Sequence, residues 1–324
     1  MKDASRSLVK RVLGWLVGAT AMGFFIQRVV VHAGHMPHVA WDASTVAVGI
    51  ASTVFAAFAI VLSGVIWQVL LRDQAIRFPW ERVLSLYLVA QFGKYLPGNV
   101  GQYVGRVVLG RDMGIPVPVT LATMVTEALW GAGTALGLAA LSLCLFFDAG
   151  LSFLPPWANA TGLMICFLGL LASPWLSITL AKRFVPGLVV RVFGENGISP
   201  PGWLAALQVS FLYVACSLCM GGVLQWQSHY LFGAPPAPLL QVSGFFALAW
   251  LAGFALPGAP AGIGVRESIM VLLFTPIVGE GTALALSVTC RLATTLADVL
   301  AFVIGWVWRS AQSRSPQPPQ EISQ

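Results

Sequence analysis

Seven charged residues interrupt stretches that are otherwise as apolar as lipid: the cations Lys94, Arg106, Arg266 and Arg291, and the acids Glu127, Glu267 and Asp298. Four cations against three acids leave one positive charge unmatched. Two of the arginines occupy matched places. LPGNVGQYVGR runs from Leu96 to Arg106 and LPGAPAGIGVR from Leu256 to Arg266, so each arginine follows the proline of a Leu-Pro-Gly by nine residues. Such a set can bind an anion. Guanidinium groups hold phosphate oxygens through paired N–H bonds. A helix that restarts after a Pro-Gly break begins with free N–H groups and the positive end of its dipole.

The residues expected to hold substrate are therefore Lys94, Pro97, Gly98, Asn99 and Arg106 at the first break, and Pro257, Gly258, Gly262, Gly264, Arg266, Glu267 and Arg291 at or near the second. Asn99 is expected to cap the half-helix carrying Gln102, Tyr103 and Arg106, and Arg266 and Glu267 to lie in the first turn of its counterpart. Glu127 and Asp298 are expected as ion-pair or coupling groups, for example Arg266 with Glu127 or Arg291 with Asp298. In the competing reading every one of these charges is structural. Against it, each intramembrane charge costs at least about 2.5–3.5 kcal/mol on insertion scales, and buried pairs stabilise less than apolar packing does.

The elements that must carry these charges follow from composition. Of 324 residues, 57% are hydrophobic and 9% charged, against about a quarter charged in a soluble domain, so the chain is expected to be an integral membrane protein without a soluble catalytic domain. Stretches near 12–31, 44–71, 117–147, 158–181, 203–228 and 282–308 are long enough to span a hydrocarbon core of about 30 Å as helices. The first resembles a secretory signal, but its length reads as an uncleaved span. Regions near 80–114 and 238–278 are apolar but broken at the two Leu-Pro-Gly stretches.

Arginine placement chooses between one span and a hairpin for each broken region. With the basic head inside and both regions treated as re-entrant hairpins, Arg72, Arg77, Arg82, Arg111, Lys182, Arg183, Arg191, Arg309 and Arg314 all fall on the cytoplasmic side. The loops at 32–43, 148–157, 229–237 and 279–281, which contain no Lys or Arg, then fall outside. A single crossing by the first region would put Lys182, Arg183 and Arg191 outside. The expected fold is thus an all-α integral membrane domain over 1–310. It has six full transmembrane helices and two oppositely oriented re-entrant helical hairpins in an inverted-repeat arrangement, with a disordered cytoplasmic tail at 311–324.

Other features read as packing or loop. Cys144, Cys166, Cys216, Cys219 and Cys290 lie in apolar runs, so Cys216-x-x-Cys219 is read as two small packing residues rather than a redox motif. His32, His35 and His38 recur in one outer loop that contains Pro37, and they are read as exposed histidines rather than a metal site. No metal, cofactor, nucleic-acid partner or enzymatic activity is expected.

The stretch PGAPAGIGVRESIMVLLF resembles the P-G-G-x-G-x-R-E signature of the lysylphosphatidylglycerol synthase transmembrane-region family, and KYLPGNVGQYVGR resembles that family's other re-entrant motif. The resemblance covers nearly the whole chain. It implies a flippase-like fold that moves an anionic phospholipid or a polyprenyl-phosphate-linked sugar between leaflets. Arg266 and Glu267 fall at the signature positions, and Arg106 in the first hairpin. The sequence departs from the signature with Gly-Ala-Pro-Ala-Gly where Gly-Gly is common. It lacks the family's aminoacyl-transferase domain, so synthesis of a lysyl-lipid is not expected. Arginine placement puts both termini on the cytoplasmic side, and the resemblance implies a bacterial inner-membrane location and a membrane glycosyltransferase as a partner. The rival functions are secondary transport of a small soluble anion and an accessory role in a cell-envelope glycan pathway.

Overall fold

The computed structural model describes residues 42–95, 100–146, 160–193, 198–256 and 260–314, with isolated helical positions at Gly23, Ile26, Gln27 and Val30. Apart from those four positions the expected first span lies outside the described residues, as do the histidines at 32, 35 and 38 and positions 315–324 of the expected tail, while positions 311–314, also expected in the disordered tail, are helical. The described chain is helical, with no strand among the described residues. In order come α1 (Ala43–Asp73), α2 (Trp80–Gln91), α3 (Gly101–Asp112), α4 (Val117–Phe146), α5 (Ala160–Phe184), α6 (Pro186–Phe193), α7 (Trp203–Trp226), α8 (Leu239–Ala255), α9 (Val265–Val278) and α10 (Glu280–Arg314).

Among the described residues, α1, α4, α7 and α10 are long and apolar enough to cross a membrane. The outer faces agree with that length: Phe211 on α7 and Leu292, Val303 and Trp306 on α10 are all exposed, a distribution suited to lipid and costly in water. The protein is a multi-pass membrane protein.

Local chemistry sets several element ends. Asp42 opens α1 with a capping box, in which the Thr45 N–H donates to Asp42 Oδ1 at 2.8 Å and the Asp42 N–H to Thr45 Oγ1 at 3.1 Å. Beyond Trp226, α7 runs into a π turn at Gln227–Leu231, whose buried Gln227 accepts from the Thr289 hydroxyl of α10 at 3.1 Å. Pro79 and Pro238 stand immediately before α2 and α8, where a missing N–H costs nothing.

The two broken regions exchange partners. The first arm of the earlier break, α2, packs along α10, while the first arm of the later break, α8, packs along α4. The second arms remain local: α3 packs on α2 and α4, and α9 on α8 and α10. Each half therefore reaches its long helix across to the other half's broken pair. In lipid no hydrophobic drive separates helix from solvent, so such contacts depend on close packing and on polar groups that find partners. The largest core cluster joins Met220 and Leu224 of α7, Phe245 of α8, Phe274 of α9 and Leu286 of α10. A second joins Trp67 and Leu71 of α1 to Leu86 and Tyr87 of α2.

Candidate functional site

Helix stops on either side of each Leu-Pro-Gly stretch, with α2 ending at Gln91 and α3 starting at Gly101, and α8 ending at Ala255 and α9 starting at Val265; the two interruptions meet. After α2 the chain tightens into a 3₁₀ turn at Phe92–Tyr95, and before α9 a second 3₁₀ turn covers Pro260–Gly262; the two turns touch. Glycines close both breaks. A Cβ at Gly93 would lie 2.7 Å from the Gly101 carbonyl oxygen and one at Gly262 would lie 2.9 Å from Gly253 Cα, so a side chain at either place would push the two arms apart. Gly262 also has φ +68°, in the left-handed region that other residues adopt at a cost. Pro97, Gly98, Asn99, Pro257 and Gly258, all expected at the site, lie outside the described residues.

The seven charges of the apolar runs converge on this crossing, but they do not pair as Arg266 with Glu127 or Arg291 with Asp298. Arg106 of α3 forks onto Glu127 of α4, with Nη1 on Oε2 and Nη2 at 3.3 Å from Oε1. Arg106 reaches this carboxylate because α3 packs directly on α4. Its guanidinium lies 4.1 Å from the ring centre of Tyr87 and 5.4 Å from that of Trp67, and the Tyr87 hydroxyl donates to Glu127 Oε1 at 3.2 Å. The Tyr213 hydroxyl of α7 donates to the Glu127 main-chain carbonyl at 2.8 Å.

Arg291 and Asp298 do not pair either. Seven residues on one helix set them roughly 10 Å apart along its axis. Arg291 Nη1 instead lies 3.3 Å from Glu267 Oε1 on the adjacent α9 and donates to the Ala261 carbonyl at 3.0 Å, which ties the second break to α10. Asp298 receives Lys94 Nζ at 2.7 Å and the Tyr95 hydroxyl at 2.6 Å, both from the first break.

Arg266 is the cation left over. Among the described residues no carboxylate pairs with it. Its guanidinium sits 4.7 Å from the ring centre of Phe246, and its Nη2 donates only to the soft sulfur of Cys290 at 3.5 Å. It is nonetheless 9% exposed. Among the described residues, six buried side-chain atoms have no hydrogen-bond partner: Arg106 Nε, Arg266 Nε, Arg291 Nη2, Gln91 Oε1, Glu267 Oε1 and Ser52 Oγ.

The helix N-termini also differ from expectation. At α9 the Glu267 carboxylate accepts from the Gly264 N–H at 2.7 Å, so the protein's own acid meets the positive end of that helix. At α3 the N-cap is Val100, with no side-chain cap, rather than Asn99. Anion-binding capacity at the second break thus resides in the Arg266 side chain more than in the helix end.

These groups surround two adjoining cavities of about 160 Å³ each, which share Gln91, Lys94, Tyr213, Trp250, Arg266 and Asp298 in their walls. One is polar and reaches Tyr103, Arg106, Glu127 and Arg291. The other continues between α1, α4, α7 and α8 past Ala56, Ile60, Ala135, Met220 and Phe246. Tyr87, Tyr95, Tyr213, Phe246 and Gln91 are absent from the residues expected at the site. Their signal was a polar tip in an apolar run, visible in Tyr87, Tyr213 and Gln91, and adjacency to Lys94 in the case of Tyr95. Cys216 and Cys219 remain free thiols, and their sulfurs lie against the α1 main-chain carbonyls of Ala59 and Phe55.

A comparison with curated proteins finds no match for this chain. The family model described as the lysylphosphatidylglycerol synthase TM region matches residues 10–301, which takes in both broken regions and every charged residue of the site. With that match over nine-tenths of its length, the chain belongs to the lysylphosphatidylglycerol synthase transmembrane-region family.

Proposed function

We propose that this protein is a lipid flippase of the plasma (bacterial inner) membrane. The headgroup of an anionic lipid enters the polar cavity at the crossing of the breaks while its tails stay in or beside the apolar one. Membership of a membrane-lipid family supports a lipid-related role. The observation that carries the reading is the surplus of unmet donors: Arg106, Arg266 and Arg291 line one cavity, each keeps a nitrogen without a partner, and Arg266 has no carboxylate among the described residues. Phosphate oxygens supply the acceptors that such donors lack.

In this reading the broken pairs α2–α3 and α8–α9 are re-entrant hairpins entering from opposite faces, within six full spans related as an inverted repeat. Both termini are cytoplasmic. The exchange of partners between the halves and the contact of the two 3₁₀ turns support that arrangement. The protein moves a molecule rather than transforming it. An apolar cavity continuous with the polar one favours a lipid over a small soluble anion, which has no use for it.

The test is a leaflet assay in proteoliposomes with labelled anionic lipids, comparing the wild type with Arg266→Ala and Arg106→Ala. Loss of most movement in Arg266→Ala, with folding intact, is expected. Failure of the wild type to move any lipid of a broad panel, or equal movement without both arginines, overturns the reading.

A further inference from the structure

The cavity's charge balance also bears on which headgroup it admits, an inference that rests on the flippase reading. Each acid at the site already faces a cation and one further donor, although Glu267 Oε1 lies beside Arg291 without a hydrogen bond. Glu127 holds Arg106 and the Tyr87 hydroxyl; Asp298 holds Lys94 and the Tyr95 hydroxyl; Glu267 holds Arg291 and the Gly264 N–H. Three acids thus neutralise three cations, and among the described residues Arg266 alone remains as a net positive charge at the cavity wall. One singly charged phosphodiester completes that balance. A headgroup with an ammonium would bring a second positive charge to a wall that offers it no spare carboxylate, in a low-dielectric setting where like charges repel strongly.

Beside the unmet arginine nitrogens, the wall holds one unmet acceptor among the described residues. Gln91 Oε1 is buried without a hydrogen-bond partner and lines both cavities beside Arg266. A ligand hydroxyl satisfies it; so far as the wall is concerned, nothing else about the headgroup needs charge. Uncharged hydrogen-bonding groups on Gln102, Tyr103 and Thr294 continue the same surface.

We propose that the cargo is a phosphodiester lipid whose headgroup is uncharged and hydroxylated, of the glycerol or sugar class, with its phosphate on Arg266 and a hydroxyl on Gln91. Lipids with cationic aminoacyl headgroups are excluded. The discrimination follows the asymmetry of polar sites: a buried acceptor left unpaired by the wrong ligand costs more than a well-made bond contributes.

Three labelled lipids in proteoliposomes test this: phosphatidylglycerol, lysyl-phosphatidylglycerol, and phosphatidylmethanol, which has the same phosphodiester charge and no hydroxyl. The wild type is expected to move phosphatidylglycerol at least about tenfold faster than the lysyl lipid. Gln91→Met is expected to lower the ratio of phosphatidylglycerol movement to phosphatidylmethanol movement about tenfold, a change of preference that general damage to the fold would not produce. Equal movement of the glycerol and lysyl lipids by the wild type overturns the headgroup assignment and leaves the flippase reading standing. If none of the three moves, nor any lipid of the broader panel, the flippase reading falls and the assignment with it.

Discussion

Lys94 Nζ lies 2.7 Å from Asp298 Oδ1, joining the first helix break to α10 across 204 residues of sequence. The other two ion pairs of the site are local by comparison, Arg106–Glu127 on neighbouring elements of the first half and Arg291–Glu267 on neighbouring elements of the second. Lys94–Asp298 is therefore the charge contact that locks the halves together at the crossing. Asp298 is 2% exposed at its side chain, so removing Lys94 leaves a carboxylate in a place with little water.

Breaking this pair singly should be worse than removing it whole. Lys94→Met or Asp298→Asn alone is expected to cost about 3–5 kcal/mol, the usual effect of an uncompensated buried charge, and the double variant to recover most of it. Thermal unfolding in detergent, arranged as a double-mutant cycle, measures the difference. Additive losses in the double variant would refute the pairing.

Tyr87 serves the Arg106–Glu127 fork in two ways, with its ring under the guanidinium and its hydroxyl on the carboxylate. Tyr87→Phe keeps the ring and should cost about 0.5–1.5 kcal/mol, the net worth of one hydrogen bond. Tyr87→Leu removes both and should cost clearly more. The two unfolding midpoints together separate the contributions.

Gly262→Ala is expected to be destabilising by more than the roughly 1–2 kcal/mol of a left-handed backbone conformation, because the added carbon also meets Gly253. Since Gly262 lies in the second break, the same change should spread the arms and slow lipid movement. A variant of unchanged stability and unchanged activity would show that the break tolerates a side chain.

Acidification should loosen the start of α1. Hydrogen bonds from the Thr45 N–H and the Ser44 hydroxyl hold the Asp42 carboxyl below its ordinary value of 3.8. A depressed value means that the cap contributes fully above 3.8 and is lost as pH falls through the lower, folded-state value. Amide protection at Thr45, corrected for intrinsic exchange, should be flat at neutral pH and fall only in strong acid. Asp42→Asn should remove the acid step while keeping the cap.

The hairpin topology predicts that Arg111→Cys, in the last turn of α3, reacts with an impermeant thiol reagent from the cytoplasmic side only. Reaction from the outside would refute it.

Much of the site was legible in the sequence because charge in an apolar run is conspicuous and has few explanations. The matched Leu-Pro-Gly stretches located both helix interruptions, and four cations against three acids leave one cation over. Hydropathy likewise marked α1, α4, α7 and α10, since span length follows from bilayer thickness alone. The pairings were not legible. Ion pairing depends on which helices lie side by side and at what height, and sequence fixes neither for elements hundreds of residues apart. Only the tertiary structure decided that α3 brings Arg106 to Glu127, that the first break turns Lys94 toward Asp298, and that Glu267 caps its own helix while holding Arg291. By elimination it assigned the surplus charge to Arg266. An apolar chain announces how many charges it must bury, but the packing of its helices determines which one remains free to meet a ligand.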